Sequence, residues 1–484
     1  MSKSRDWSTA GVALAALVIA AYFISFTAGS LRTEFTQDDL MNCYRGWFHP
    51  LKALVAENFM FWKFSPTFRP LPALIYKASF GLFGFDLFAM RLLLWGVMAA
   101  NVVLAYLLVR RLTDSRETGL LAALLICYHS NFASLYYNTG TIYDIFCYFF
   151  YVFVLVLYAF WRSRHRLPGP VALVALALLY IFALDSKELA VSLPVTILAY
   201  ELLFHPPSLR GLGGWLVREA RFAWLTGFIT LGFIFGRING PYSISEQGGY
   251  HVAPSAGEYL KQAANYFGEL FYRTGWFNSM KALVLLLGLF VVALALRSRV
   301  LVFGWIMFTT GFLPMAFIPP RSLHAIHLPL TGLALYFAAL LVDLRDRLLR
   351  AARRTSLRPA GQALLFIALT LFLIRVHPGN ESNYNAWLKE YRQIRIIQEQ
   401  YKQLYPSMPP DSRVLILKDP FGQYNWASLF VIYLVYGDLS IHVDRLETME
   451  PKPDAAALET YNYILTFEDD RLIGIDPKYV SPAQ

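Results

Sequence analysis

The sequence predicts an all-α protein that crosses a membrane about eleven times and carries a small α/β domain at its C-terminal end. Of its 484 residues, 56% are hydrophobic and only 16% are charged, whereas a soluble domain averages about 25% charge. Apolar runs of about 20 residues alternate with short basic loops, which is the pattern of membrane-spanning helices. The residues beyond 378 lack such runs, so we expect a separate domain there.

The first predicted span, 9–31, follows Lys3 and Arg5. A cleaved signal peptide is the alternative, because Ala28-Gly29-Ser30 resembles a cleavage site. The apolar run exceeds the 7–15 residues of a signal sequence, which favours an uncleaved helix. Ten further spans are centred on residues 88–109, 118–137, 141–160, 169–184, 188–204, 221–238, 280–296, 300–318, 324–342 and 360–376.

Basic residues in the loops predict the orientation of these spans, because cytoplasmic loops are enriched in Lys and Arg. We therefore place the N-terminus in the cytoplasm. The resulting distribution explains the net charge of +10 without a nucleic-acid partner. The clusters that then fall on the inner side are Arg110, Arg111 and Arg116; Arg162, Arg164 and Arg166; Arg210, Arg218 and Arg221; Arg297 and Arg299; and Arg345, Arg347, Arg350, Arg353, Arg354 and Arg358.

The apolar segment 66–85 tests this orientation. If it crossed the membrane, every later basic loop would move to the outer side. We therefore expect residues 40–85 to form amphipathic helices on the outer membrane surface. Pro70, Pro72 and Lys77 agree with that position.

The tail has the pattern of a small soluble domain on the outer side. The apolar residues within 387–404 recur with the spacing of an amphipathic helix. Residues 413–418 and 463–467 have the pattern of buried strands. The predicted division is a membrane domain over 1–377 and an extracytoplasmic α/β domain over 378–484.

Two consecutive acids, Asp38 and Asp39, follow the outer end of the first span. Polar residues beside membrane spans are costly to keep, which makes them functional candidates. Consecutive helix residues point about 100° apart, so one of the two faces any one site while the other caps or orients. A solvated loop is the alternative interpretation of this pair.

Further polar residues lie at the same outer ends. Asp144 begins the fourth predicted span, where a favourable interaction with the helix dipole is the alternative explanation. Lys187 and Glu188 form a hinge between two short apolar runs; they pair with each other, or Lys187 binds an anion. Arg321 follows two prolines and is able to clamp a phosphate with two hydrogen bonds. Together these residues suit an anionic lipid head group beside a nucleophilic hydroxyl.

The sequence pattern supports a metal site less strongly than it supports a phosphate site. His324 and His327 share a helix face, but no third ligand is near them in the sequence. The three cysteines, Cys43, Cys127 and Cys147, have no metal-ligand spacing, and we interpret them as packing residues. We therefore predict no protein-only metal site.

With these features, the chain resembles the GT-C superfamily of membrane glycosyltransferases, which use polyprenyl-phosphate-linked sugars as donors. The acidic pair after the first span and Asp144 carry part of the resemblance. The stretch RPLPALIYKASFGLFGFDLFAMRLLL, which begins at Arg69, is similar to the protein O-mannosyltransferases and the aminoarabinose transferases. SKELAVSLPVTILAYELL looks like the corresponding segment of the mannosyltransferases with tetratricopeptide tails.

The resemblance covers about residues 9–345 and is incomplete. Ser322 follows Arg321 where the tetratricopeptide subgroup tends to have an aromatic residue. No tetratricopeptide array follows the membrane domain, so the chain is not assigned to that subgroup.

The resemblance implies an inverting transfer of a sugar from a polyprenyl phosphate to a hydroxyl group of a protein, lipid or glycan. Asp38 or Asp39 would take the proton of the acceptor hydroxyl as general base. Lys187 and Arg321 would stabilise the charge on the departing phosphate.

Other residues would complete the substrate site. Asp144 would hold the acceptor or sugar, or help to bind a divalent cation, and Arg69, Glu188 and His324 would contact substrate. The Tyr-rich outer loop 239–279 and the tail would cover the site.

A membrane transporter or a lipid-linked sugar flippase is the main alternative. Transporters place charged sites near the bilayer midplane and often contain repeated halves, whereas the acids here cluster at the outer mouth. A purely structural membrane scaffold would give these residues no reason to converge. We expect the protein in a bacterial inner membrane.

Overall fold

The computed structural model describes residues 7–63, 69–127, 129–239, 252–376, 381–421, 427–468 and 471–475. They form a helical membrane domain followed by a small mixed domain. The helices are α1 (Thr9–Thr27), α2 (Gln37–Phe48), α3 (Leu51–Glu57), α4 (Pro70–Phe83), α5 (Phe88–Thr113), α6 (Arg116–Cys127), α7 (Ala133–Tyr137), α8 (Ile142–Arg162), α9 (Pro170–Ser186), α10 (Leu193–Phe204), α11 (Leu212–Arg218), α12 (Arg221–Asn239), α13 (Ala256–Leu270), α14 (Ser279–Ala295), α15 (Arg299–Ala316), α16 (His327–Ala351), α17 (Arg358–Val376), α18 (Glu381–Leu404), α19 (Ala427–Tyr436) and α20 (Ala455–Leu458).

Within the described residues, seven helical segments are long and apolar enough to cross a membrane. Each coincides with a predicted span, so the prediction of a multi-pass helical membrane protein is confirmed. The segments are Thr9–Arg32, Phe88–Thr113, Thr139–Arg162, Arg221–Asn239, Arg299–Ala316, Leu323–Ala351 and Thr355–Val376.

The other four predicted spans contain shorter helices. The ranges 169–184 and 280–296 correspond to α9 and α14, and 188–204 is a 3-10 turn followed by α10. The range 118–137 was expected to be one helix, but it divides into α6 and α7. His129 lies in the break, where its ring hydrogen-bonds the carbonyl of Leu270 at 3.0 Å.

The segment expected on the membrane surface contains three short helices, α2 to α4. Helix α4 has 14 residues, fewer than the roughly 20 that a span requires. It packs closely on α2, since a Cβ atom at Gly46 would lie 2.7 Å from the carbonyl oxygen of Ala73. Their position relative to the lipid stays a prediction; part of the range, 64–68, lies outside the described residues.

The ends opposite Asp144 are held together by buried ion pairs. Arg162, at the last turn of α8, binds Glu201 through two hydrogen bonds of 2.7 Å each. Glu117 at the start of α6 accepts hydrogen bonds from Arg345 and Gln362. Arginines predicted only to orient the chain therefore also join its helices.

The C-terminal domain contains a four-stranded sheet in the order β2-β1-β3-β4. Strand β1 (Arg413–Ile416) is parallel to β2 (His442–Arg445) and to β3 (Tyr463–Glu468), and β4 (Arg471–Ile475) is antiparallel to β3. The predicted strands 413–418 and 463–467 are thus β1 and β3, and the predicted helix 387–404 lies within α18.

Aromatic side chains connect this domain to α2. The ring of Tyr44 lies 4.6 Å from that of Phe430 and 5.7 Å from that of Tyr433, both on α19. Such contacts contribute stability beyond the area that they bury. The helix that carries Asp38 therefore packs on the C-terminal domain as well as on α4.

Helices α15 and α16 cross at two glycines, which makes this crossing sensitive to added volume. A Cβ atom at Gly332 would lie 2.5 Å from the carbonyl oxygen of Gly304. We expect Gly332→Ala to destabilise the protein by about 1–3 kcal/mol, measured as a lower thermal unfolding midpoint in detergent. Gly288→Ala is the matched control, because nothing lies within 4 Å of a Cβ there. Equal midpoints for the two variants would contradict this packing.

Candidate active site

Asp39 stabilises the start of α2. Its Oδ2 atom accepts hydrogen bonds of 2.8 Å from both the backbone N–H and the hydroxyl of Thr36, while Thr36 in turn accepts from the backbone N–H of Asp39. This arrangement is a capping box. Its Oδ1 atom accepts from the hydroxyl of Tyr76 on α4. Burial raises the pKa of Asp39 to about 6, although these hydrogen bonds act in the opposite direction.

Asp38 differs from its neighbour because its side chain is exposed. It lies against the turn before α8, where a Cβ atom at Gly140 would be 3.2 Å from that of Asp38. Glycine therefore leaves room for the carboxylate at this point. The surrounding protein removes part of its hydration and raises its pKa. Of the two predicted acids, Asp38 is the one whose side chain is exposed to solvent.

Tyr143 connects Asp38 to the positively charged part of the mouth. Its hydroxyl donates a 2.5 Å hydrogen bond to Asn42 on α2. The guanidinium of Arg69 lies over its ring, 4.5 Å from the centroid, in the geometry of a cation–π contact. Asp38 and Arg45 also act electrostatically on this tyrosine.

Asp144 and Lys187 form a buried ion pair with a distance of 2.5 Å between Nζ and Oδ1. His324 approaches the same carboxylate, with Nε2 3.9 Å from Oδ2. The other ring nitrogen of His324 lies 3.0 Å from the hydroxyl of Ser134. The predicted Lys187–Glu188 pair does not form, because the consecutive residues bind different partners.

Glu188 instead binds two arginines. Its carboxylate lies 3.0 Å from Arg69 and 3.4 Å from Arg237. Arg237, which lies at the end of a predicted span, was not among the residues predicted for the site. An arginine near the outer end of a span, where positive charge is disfavoured, is the signal that would have found it.

Arg321 and His327, at the start of the tenth predicted span, lie in different surroundings. The side chain of Arg321 is exposed, and its backbone N–H donates to the hydroxyl of Tyr266 at 3.1 Å. His327 is buried and stacks on Tyr148 with 4.3 Å between ring centroids. His327 therefore packs in the core, while His324 faces Asp144.

The predicted site residues thus fall into two adjoining groups. Asp38 and Arg69 both act electrostatically on Tyr143, and Asp144, Lys187 and His324 meet one residue further along α8. Arg321 acts electrostatically on His324. Within the described part of the chain, no three His, Cys, Asp or Glu side chains are grouped to hold a metal ion.

Comparison with known proteins identifies this architecture. Residues 65–234 match the family model described as dolichyl-phosphate-mannose-protein mannosyltransferase. The apo crystal structure of ArnT from Cupriavidus metallidurans superimposes with a TM-score of 0.53 and 13% identity, over 97% of this chain and 98% of that chain. This chain therefore has the fold of ArnT over nearly its whole length.

ArnT from the same organism bound to undecaprenyl phosphate superimposes with a TM-score of 0.49 and 14% identity, again over 97% of this chain and 98% of that chain. No curated protein matches the sequence. The family match includes Arg69, Asp144 and Lys187, whereas Asp38 and Arg321 lie beyond its two ends.

The different roles of Asp38 and Asp39 are testable by measuring the stability of variants. We expect Thr36→Val and Asp39→Asn each to lower the unfolding free energy by about 1–2 kcal/mol, because each removes part of the capping box. Asp38→Asn removes no hydrogen bond from the cap, so it is the matched control with an unchanged thermal midpoint. A loss of stability in Asp38→Asn equal to that in Asp39→Asn would contradict the assignment.

Proposed function

We propose that the protein is an inverting glycosyltransferase that moves a sugar from a polyprenyl-phosphate donor to a hydroxyl acceptor. The observation that carries the proposal is an accessible carboxylate, Asp38, beside a group of cationic side chains at one end of the helices. The printed name of the matched family supports this donor class, since it refers to a dolichyl-phosphate sugar.

Asp38 is the proposed general base. As the acceptor oxygen attacks the anomeric carbon, its proton passes to the Asp38 carboxylate and the bond from the sugar to the phosphate oxygen breaks. The electron pair of that bond leaves with the polyprenyl phosphate. Attack opposite to the leaving group inverts the configuration of the anomeric carbon. A raised pKa suits this role, because it makes the carboxylate a stronger base.

The proposed phosphate site brings three cationic side chains together. Lys187, Arg69 and Arg237 share two carboxylates, those of Asp144 and Glu188. The ion pairs hold these cations in place before a donor arrives, so little reorganisation is needed when charge develops on the leaving phosphate. Arg321, which is exposed and lies just before the tenth predicted span, adds another cation.

A divalent cation bound at this site would need additional ligands from the donor. Since the described residues contain no cluster of three ligands, Asp144 or Asp38 would hold such an ion together with the phosphate oxygens of the donor. We place the reaction on the outer face of a bacterial inner membrane, following the distribution of basic loops. The Tyr-rich part of the loop, Tyr242 to Tyr250, lies outside the described residues.

Loss of the base should abolish transfer without unfolding the protein. We expect Asp38→Asn to lower kcat at least about 100-fold, measured with purified protein, radiolabelled polyprenyl-phosphate sugars and native membrane acceptors. Asp411→Asn is the matched control, because Asp411 is exposed in the C-terminal domain and asparagine tolerates its positive φ of 60°. Undiminished transfer by folded Asp38→Asn would remove this residue from the mechanism.

The pH dependence of transfer provides an independent test. A general base acts only when deprotonated, so we expect kcat to rise with pH through the acid range and then level off. Because the pKa of Asp38 is raised from the ordinary value of 3.8, the midpoint should lie above that value. A rate independent of pH through this range, in a protein that stays folded, would contradict the proposed base.

A further inference from the structure

Two exposed arginines meet at one aromatic ring, at the end of the helices opposite Asp144. The guanidinium carbon of Arg111, in the last turn of α5, lies 5.3 Å from the ring centroid of Phe160 on α8. The guanidinium carbon of Arg164, which follows α8, lies 3.7 Å from the same centroid. Because both distances end at one ring, the two groups are close enough for a single phosphate to bind them both.

Both guanidinium groups are accessible and keep donors for a ligand. Arg111 donates one hydrogen bond of 3.3 Å to the hydroxyl of Ser163, and neither arginine forms an ion pair in the described part of the chain. An arginine has five N–H donors, and contact with an aromatic ring leaves them available. Arg162, two residues before Arg164, differs because it is buried and bound to Glu201.

The surrounding charges favour a ligand that is negative overall. Residues 106–114 and 160–170 contain five arginines and one acid, Asp114. Four of these arginines are exposed, namely Arg110, Arg111, Arg164 and Arg166. A ligand that carries an ammonium group beside its phosphate would bring a second positive charge into this cluster. A phosphate without such a group is therefore the better match.

The face of α5 that leads to Arg111 is apolar. Leu107 and Val103 precede Arg111 by four and eight residues, so the three side chains lie along one face of the helix. Leu107 is 37% exposed and Val103 is 55% exposed, and both belong to the candidate span Phe88–Thr113. A lipid would contact this face as well as the arginines, whereas a soluble anion would contact the arginines alone.

We propose that Arg111 and Arg164 bind the phosphate group of an anionic phospholipid, whose acyl chains lie along the apolar face of α5. The Ser163 hydroxyl and the Phe160 ring hold the guanidinium groups before the lipid binds, which limits the entropy lost on binding. Helix α8, about 30 Å long, separates this site from Asp144. The site is therefore distinct from the one proposed for the sugar donor.

Native mass spectrometry of the full-length protein in detergent tests the proposal. The probes are phosphatidylglycerol and phosphatidylcholine with the same acyl chains, and inorganic phosphate as a competitor. We expect phosphatidylglycerol to bind at least about fivefold more tightly than phosphatidylcholine, because each arginine near an anionic head group contributes about that factor. Inorganic phosphate should compete poorly, since it lacks the acyl chains.

Variants assign the preference to the two arginines. Arg111→Gln and Arg164→Gln should each weaken the binding of phosphatidylglycerol about fivefold and leave that of phosphatidylcholine unchanged. Arg110→Gln is the matched control, because it removes the same charge from an exposed arginine whose guanidinium lies 6.0 Å from a different ring, that of Tyr106. It should leave the preference unchanged.

Three results would overturn the proposal. The first is equal binding of the two lipids by the unaltered protein. The second is a loss in Arg110→Gln as large as that in Arg111→Gln, which would indicate a general attraction to positive charge. The third is competition by inorganic phosphate as strong as that by phosphatidylglycerol, which would indicate a soluble anion as the ligand. None of these outcomes depends on whether the protein transfers a sugar.

Discussion

The buried ion pair between Asp144 and Lys187 is the contact on which the group of charged residues at this end of the helices depends. Lys187 has an extended backbone at the end of α9, so the chain stops being helical where its side chain reaches Asp144. The next residue, Glu188, is thereby presented to Arg69 and Arg237. Removing one partner of a buried pair costs about 3–5 kcal/mol, because the other charge remains buried without compensation. The pair and Glu188 together therefore hold four segments around one point: the start of α8, the end of α9, the start of α4 and the end of α12.

Buried charged residues have different arrangements at the two ends of the helices. Helix α8 has 21 residues and spans about 30 Å from Asp144 to Arg162. At the Arg162 end, Glu201 is fully buried and accepts both arginine hydrogen bonds, which closes the pair to a ligand. At the Asp144 end, the pairs surround an accessible acid and an exposed arginine. This contrast supports the proposal that the chemistry takes place at the Asp144 end.

Much of the architecture was predictable because membrane spans have strong local signals. Hydropathy located the helices, and the distribution of arginine gave a consistent orientation, which led to the outer residues as candidates. Within the C-terminal domain, the apolar runs at 413–418 and 463–467 predicted two strands of the sheet. These inferences depend on short stretches of sequence, so they required no knowledge of the tertiary contacts.

Features that depend on distant partners were not predictable. Helix geometry indicated that Asp38 and Asp39 divide their roles, but choosing between them required Tyr76, which belongs to another helix. The docking of α19 on α2 depends on Tyr44 and Phe430, nearly four hundred residues apart in the chain. The division of 118–137 into two helices likewise involves His129 and a carbonyl on α13. Local sequence contains none of these pairings.

A cryo-electron microscopy structure of the Asp38→Asn protein with a bound polyprenyl-phosphate sugar would show directly where the donor lies. We expect the donor phosphate to contact Lys187 or Arg69, with the anomeric carbon facing residue 38. Binding of the phosphate at the opposite end of the helices, beside Arg162 or Arg345, would contradict it. A donor whose phosphate contacts Lys187 or Arg69 but whose sugar is directed away from residue 38 would also contradict it.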